Sequence, residues 1–229
     1  MPPLARLAAA LKVGLLAALL AAAGCGQNFL QNSQEEDGHW SAARFGGQPE
    51  ADLQVTAWIV LAYLGDGSTI RSGKFREVLK PAVVWLRRQQ DDAGRFGLRG
   101  DPGWVFDHAL VTFAFAEVIR LSPSKLLGPP TARAAAVLAR EIEVMRPEVS
   151  AEIRLFARMT VTSLRAGAEA GGDAVITAAE ELDDVLAALE PVELVTDRDR
   201  AAADLLAAQR GESVAEPAKK GEDGETDLP

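Results

Sequence analysis

Apolar positions along this chain recur with the spacing of helices that bury one face. Phe75, Val78, Leu79, Ala82, Val83 and Leu86 fall at 0, 3, 4, 7, 8 and 11, a single helical stripe, with Arg76, Glu77, Lys80, Arg87 and Arg88 largely off it. Pro81 interrupts that pattern, so the helix either starts near Pro81 or kinks there. Two further segments are apolar on nearly every face, the mark of a buried helix. One is 52–64, with Leu53, Val55, Ala57, Trp58, Ile59, Val60, Leu61, Ala62 and Leu64; the other is 108–121, for which Asp107 is a good N-cap. Pro123 and Pro129-Pro130 bracket the connection to an Ala-rich amphipathic helix over 131–145. Helical spacing resumes over 152–169 and 173–189 and, briefly, over 196–209. Beside the helix end at 28–36, about seven helices are predicted.

A repeat organises these helices. Phe29-Leu30-x3-Gln34-x3-Gly38-x-Trp40 returns as Trp85-Leu86-x3-Gln90-x3-Gly94-x-Phe96, every matched position 56 residues on. Val55-Thr56-Ala57 returns as Val111-Thr112-Phe113 at the same interval. A fixed period of this kind marks a repeated supersecondary unit. The two strings resemble the QW motif of the squalene-cyclase and prenyltransferase superfamily: aromatic, Leu, three residues, Gln, a short spacer, Gly, any residue, Trp. The first copy ends in Trp40 as the motif does; the second departs with Phe96. The resemblance implies an α/α toroid, in which each motif joins an outer helix to the next inner one. There the Gln side chain bonds at the outer helix end and the aromatic ring covers the junction. A helix end does leave carbonyls unpaired, a Gln amide has donors for them, and Gly permits the left-handed turn.

A third motif would put Gln near 146 and Gly near 150, where the chain has Arg146 and Ser150. The Met159-Thr160-Val161-Thr162 run aligns loosely with the earlier Val-Thr helices, at 50 residues from Thr112 to Thr162. Segment 147–210 therefore reads as a degenerate third unit or cap. The fold class expected is all-α, an incomplete toroid of about three helical hairpins over 26–210. The superfamily closes its toroid with about twelve helices. The 211–229 stretch is Glu, Lys, Gly and Pro with few apolar residues, a disordered acidic tail by composition.

The first 25 residues have the layout of an export signal: Arg6 and Lys12, an apolar run at 13–23, then Ala22-Ala23-Gly24-Cys25. Small residues before a Cys resemble a bacterial lipobox, with Cys25 as the lipidated residue; Ala22 stands where a Leu is usual. The alternatives are a signal cut near Ala23 or an uncleaved anchor. Cys25 is the only cysteine, so no internal disulfide can form. Acylation there would hold the domain at a membrane without a spanning helix. The expected setting is the bacterial cell envelope, extracytoplasmic and lipid-anchored. From Cys25 on the net charge is −11, from 22 basic and 33 acidic residues, a surface that does not favour nucleic acid or anionic lipid headgroups and reads most simply as a means of solubility.

Catalytic chemistry is thin. The superfamily's cyclases protonate substrate with Asp-x-Asp-Asp, which is missing here; Asp91-Asp92 and Asp183-Asp184 lie on a turn and a polar helix face. Its protein prenyltransferases hold zinc with Asp, Cys and His. This chain offers Cys25, outside the repeat, and two histidines, His39 and His108. No phosphate loop or nucleophile elbow is present, and no metal or cofactor is expected. One constellation remains as a ligand-pocket candidate: Trp104 and Phe106 beside Asp107 and His108, where the inner-helix N-termini of a toroid surround its mouth. The alternative is an N-cap Asp beside a His that donates to a nearby carbonyl. His39, between Gly38 and Trp40, reads as a surface turn residue.

Two functions follow. The first is a non-catalytic binding or scaffold module at the envelope, with a protein partner. The second is a degenerate terpenoid-processing enzyme, or a lipid or isoprenoid binder, using the Asp107-His108 pole. A deep cavity lined by Trp58, Phe113 and Phe115 would favour the second, and those rings packed on one another the first.

Overall fold

A computed structural model describes residues 25–98, 100–101, 103–146, 148–168 and 172–189. The chain divides into two units after Leu189, and the described residues belong to the first. The targeting segment expected at the N-terminus, up to Cys25, the helix expected at 196–209 and the tail expected at 211–229 lie outside them. Among the described residues the secondary structure is wholly helical. In order come α1 (Cys25–Asn32), two 3-10 turns (Ala42–Phe45 and Pro49–Ala51), α2 (Asp52–Gly65), α3 (Arg76–Arg88), α4 (Trp104–Leu121), α5 (Gly128–Met145), α6 (Ala151–Ala166) and α7 (Asp173–Ala187).

α4 is the central element. It packs against α2, α5 and α6, and α7 covers both α5 and α6. Its residues from Val105 to Ala116 are all buried, which is why its sequence is apolar on every face. α3 shows the opposite pattern, burying Val78, Leu79, Ala82, Val83 and Leu86 and exposing its charges. It runs unbroken from Arg76, so Pro81 lies inside it and only the bond to the exposed Glu77 carbonyl is forgone. Pro129 and Pro130, expected in a connection, form the first turn of α5, where a missing N–H leaves no intrahelical bond unmade.

The two repeated strings do the same structural work. Gln34 Nε2 donates to its own Gly38 carbonyl at 2.8 Å and to Val78 O of α3 at 2.9 Å. Gln90 Nε2 donates to Gly94 O at 3.1 Å and to Pro130 O of α5 at 2.8 Å. One amide thus closes the turn after one helix and ties it to the first turn of a later helix. The glycines allow the contact. Both have positive φ, +104° at Gly38 and +88° at Gly94, and a Cβ on Gly38 would come 2.5 Å from the Pro81 backbone. The residue after each turn is then buried. Trp40 donates its indole N–H to Leu30 O at 2.7 Å and its backbone N–H to Thr56 at 3.1 Å.

The period slips between units. Donors and glycines are 56 apart, but the receiving residues, Val78 and Pro130, are 52 apart. Connection 66–75 has ten residues and 122–127 has six, which accounts for the missing turn. Where a third glutamine falls due, Arg146 donates to Ala188 O beyond α7 at 3.4 Å, and Ser150 instead caps α6. The buried threonine of α6 is Thr160, 48 residues from Thr112; Thr162 faces solvent.

Gly38→Ala would combine a left-handed backbone with a clash against main chain. It is expected to cost about 3 kcal/mol or more. Gly65→Ala, at an exposed helix end with open space around it, is expected to be neutral or slightly stabilising. Urea unfolding of the two variants checks this, and equal midpoints would refute the close-approach argument.

Candidate functional site

The pocket candidates all sit in the first turns of α4, which begins at Trp104 after Gly103, four residues earlier than a cap at Asp107 would allow. At about 100° per residue Trp104 and His108 share one side of the helix while Phe106 and Asp107 leave it in other directions, so the structure does not gather all four into one pocket. Phe106 is buried with its ring edge-on to Phe156 of α6 at 5.6 Å. Trp104 is half-buried, its ring 6.0 Å from that of His108.

His108 is fully buried, and both ring nitrogens are in use. Phe96 N–H donates to Nδ1 at 3.1 Å, so Nδ1 carries no proton; Nε2 carries it and faces Ala134 O of α5 at 2.9 Å. The ring therefore bridges the second turn and α5. Burial pushes its pKa down to about 4, against smaller opposing effects of the Ala134 carbonyl and the Asp91 charge. Asp52, 56 residues earlier, holds the corresponding place, accepting Ala42 N–H at 2.6 Å. Nothing local in the sequence marked either residue as a loop tether; the signal was their shared place in the repeat.

Asp107 points to α2, where it accepts a short hydrogen bond from Gln54 Nε2. Burial pushes its carboxyl up to about 7, the Asp101 charge adds to the push and the Gln54 amide opposes it. Gln54 Oε1, Trp58 Nε1 and Thr160 Oγ1 are buried and make no hydrogen bond among the described residues. A protonated Asp107 can return its O–H to the Gln54 oxygen, so the neutral acid suits this place better than the carboxylate.

The rings that would have lined a cavity pack on one another. Phe156 meets Trp58 at 5.6 Å, Phe106 at 5.6 Å and Phe113 at 6.1 Å, while Phe115 stacks on Phe96 at 5.4 Å. Phe156, which sequence reasoning did not single out, fills the space between α2 and α4. A shallow cleft of about 340 Å³ lies elsewhere, between α6 and α7, lined by Arg158, Thr162, Arg165 and Asp183 among others.

His39 lies in the turn, as expected, but is only partly at the surface. Its side chain is 18% exposed, with the ring stacked on Trp85 at 4.9 Å. Its Nδ1 lies 2.5 Å from Asp37 Oδ1 and its Nε2 3.4 Å from Asp52 Oδ2. Partial burial raises the Asp37 pKa, but hydrogen bonds from the His39 ring and backbone outweigh it and hold the carboxyl below its usual value. No hydroxyl or thiol among the described residues hydrogen-bonds to His39, so the group has a histidine and carboxylates but no nucleophile. No set of three or more His, Cys, Asp and Glu side chains suited to a metal ion occurs among the described residues. None of the described helices is long and apolar enough to cross a membrane.

Phe29 is half exposed against Phe45, and Cys25 opens α1. No family model, curated protein or solved structure matches this chain.

Asp107 sets a pH dependence. Its folded pKa of about 7 lies above the unfolded value near 4. Its contribution to stability is therefore whole below about pH 4 and lost as pH rises through about 7. Asp107→Asn keeps the shape and can pair with both ends of the Gln54 amide. Its stability relative to the parent is expected to grow between those limits, by up to about 1.4 kcal/mol per pH unit, and to level off above. Urea midpoints across that range test it; a pH-independent difference would mean that Asp107 is ionised throughout.

Proposed function

We propose that this chain is a cell-envelope lipoprotein whose domain is an incomplete α/α toroid of the squalene-cyclase and prenyltransferase type, working as a non-catalytic binding or scaffold module. The observation that carries the reading is the Phe156 ring, seated against Trp58, Phe106 and Phe113 where a substrate-holding member of that superfamily needs an empty cavity. His108 adds support, because a histidine with both nitrogens spent on backbone groups has no lone pair or proton to offer a substrate. The equivalent bonding of Gln34 and Gln90 supports the toroid type. Fold type alone assigns no activity, and on this reading the surface carries the function.

The lipid-binding alternative draws on the buried, unpartnered atoms of Gln54, which meets Asp107, and of Trp58 and Thr160. Native mass spectrometry of residues 26–229 after incubation with an envelope lipid extract separates the two. Bare protein, alone or as a defined oligomer, is the expected result. A retained isoprenoid- or lipid-sized mass, lost in Asp107→Ala and His108→Ala variants, would overturn the scaffold reading.

The anchor is tested separately. Intact mass of the chain extracted from bacterial membranes is expected to show a protein that begins at Cys25 and carries acyl groups, with Cys25→Ser left unprocessed. A mature chain without acyl mass would remove the lipoprotein assignment.

A further inference from the structure

We propose that the exposed face of α3 is the surface by which this protein lies against an anionic lipid membrane. The proposal rests on the envelope-anchor reading for the presence of that membrane. Residues 71–88 hold Arg71, Lys74, Arg76, Lys80, Arg87 and Arg88 against the one acid Glu77, a quarter of the 24 basic residues of a chain whose net charge is −9. All six basic residues are exposed. At 100° per residue, Arg76, Arg87, Lys80, Val84, Glu77 and Arg88 share about a third of the circumference of α3.

Local acids do not cancel this face. Glu77 is shared by Arg76 at 2.5 Å and Lys80 at 3.6 Å, so the group keeps a positive balance. Beyond the helix Asp91 is taken by Arg95 at 2.8 Å, leaving Asp92. Among the described residues neither Arg87 nor Arg88 makes an ion pair. Together with Val84, 47% exposed, they line a shallow groove of about 390 Å³. Two guanidinium groups beside an exposed apolar side chain match the bilayer interface, where phosphates meet the acyl boundary.

The place of this face in the fold names the occupant. Gln34 ties the turn after α1 to Val78 of α3, and Gly38 lies against Pro81. Cys25 opens α1, whose eight residues span only about 12 Å. An acyl chain at Cys25 therefore keeps α3 close to the bilayer. The remaining surface is acidic and is repelled by anionic headgroups, so the basic face is the one that can approach.

The test uses the full chain carrying Cys25→Ser, mixed with phosphatidylcholine vesicles and with vesicles in which phosphatidylglycerol replaces part of the lipid. The apolar run at 13–23 can associate with both, so the preference for the anionic vesicles is the readout. That preference is expected at low salt and lost at high salt. Arg87→Glu with Arg88→Glu is expected to reduce it by about twentyfold or more, at about fivefold per cationic side chain. Arg140→Glu with Arg158→Glu, the same charge change on α5 and α6, is expected to leave most of it. Equal binding to both vesicles, or equal loss in the two double variants, would overturn the proposal. If Cys25 proves unacylated while the preference holds, the anchor reading falls and the basic face stands. If Cys25 is acylated and no preference appears, the basic face falls alone.

Discussion

The fold depends on a side-chain amide used in two directions at once. A primary amide carries two N–H donors on one nitrogen. At Gln34 and Gln90 one goes back to the glycine four residues on and the other crosses to a later helix. The spacing follows from this. The chain must reverse within four residues to bring its own carbonyl round to the amide, so a residue that tolerates positive φ is needed there. The same residue must have no Cβ, because the later helix lies against it. Gln and Gly are thus one device, and the aromatic residue two positions on is carried into the core by the turn they make.

That dependence explains how much of the fold was legible. The device is local, with every part inside twelve residues, so the repeat was visible from spacing; the all-helical class came from the helical recurrence of apolar positions around it. The buried helices α2 and α4 were legible for a related reason, since a run apolar on every face has nowhere to lie but inside. The start of α4 was misplaced because Asp107 has the chemistry of a cap. The turn before it, beginning at Trp104, is helical through packing against Phe156 and His108 rather than through any terminal signal. The toroid arrangement and the anchor remain part of the proposal.

The candidate site was less legible, because its decisive contacts join distant parts of the chain. His108 meets Ala134 and Asp107 meets Gln54, 26 and 53 residues away. His39 is covered by Trp85, the first aromatic of the other repeat, so a residue that looks like a turn tip is shielded by its neighbouring unit. In a repeat protein each unit supplies the surroundings of the next, and residues at a junction cannot be judged from their own unit.

The same reasoning explains the filled interior. Positions 52 and 108 lie 56 apart, are polar, and each accepts a backbone N–H from the loop that follows a Gln–Gly turn. In the register that pairs buried Thr112 with buried Thr160, the third such position is Phe156. Where a third glutamine and glycine would fall the chain has Arg146 and Ser150, and α6 starts directly after the Ser150 cap. With no returning loop there is no backbone N–H for this position to accept, so the tether that Asp52 and His108 make has no counterpart here. An aromatic side chain instead occupies the space between α2 and α4. The absence of a third Gln–Gly turn and the aromatic filling between α2 and α4 thus belong to one sequence pattern.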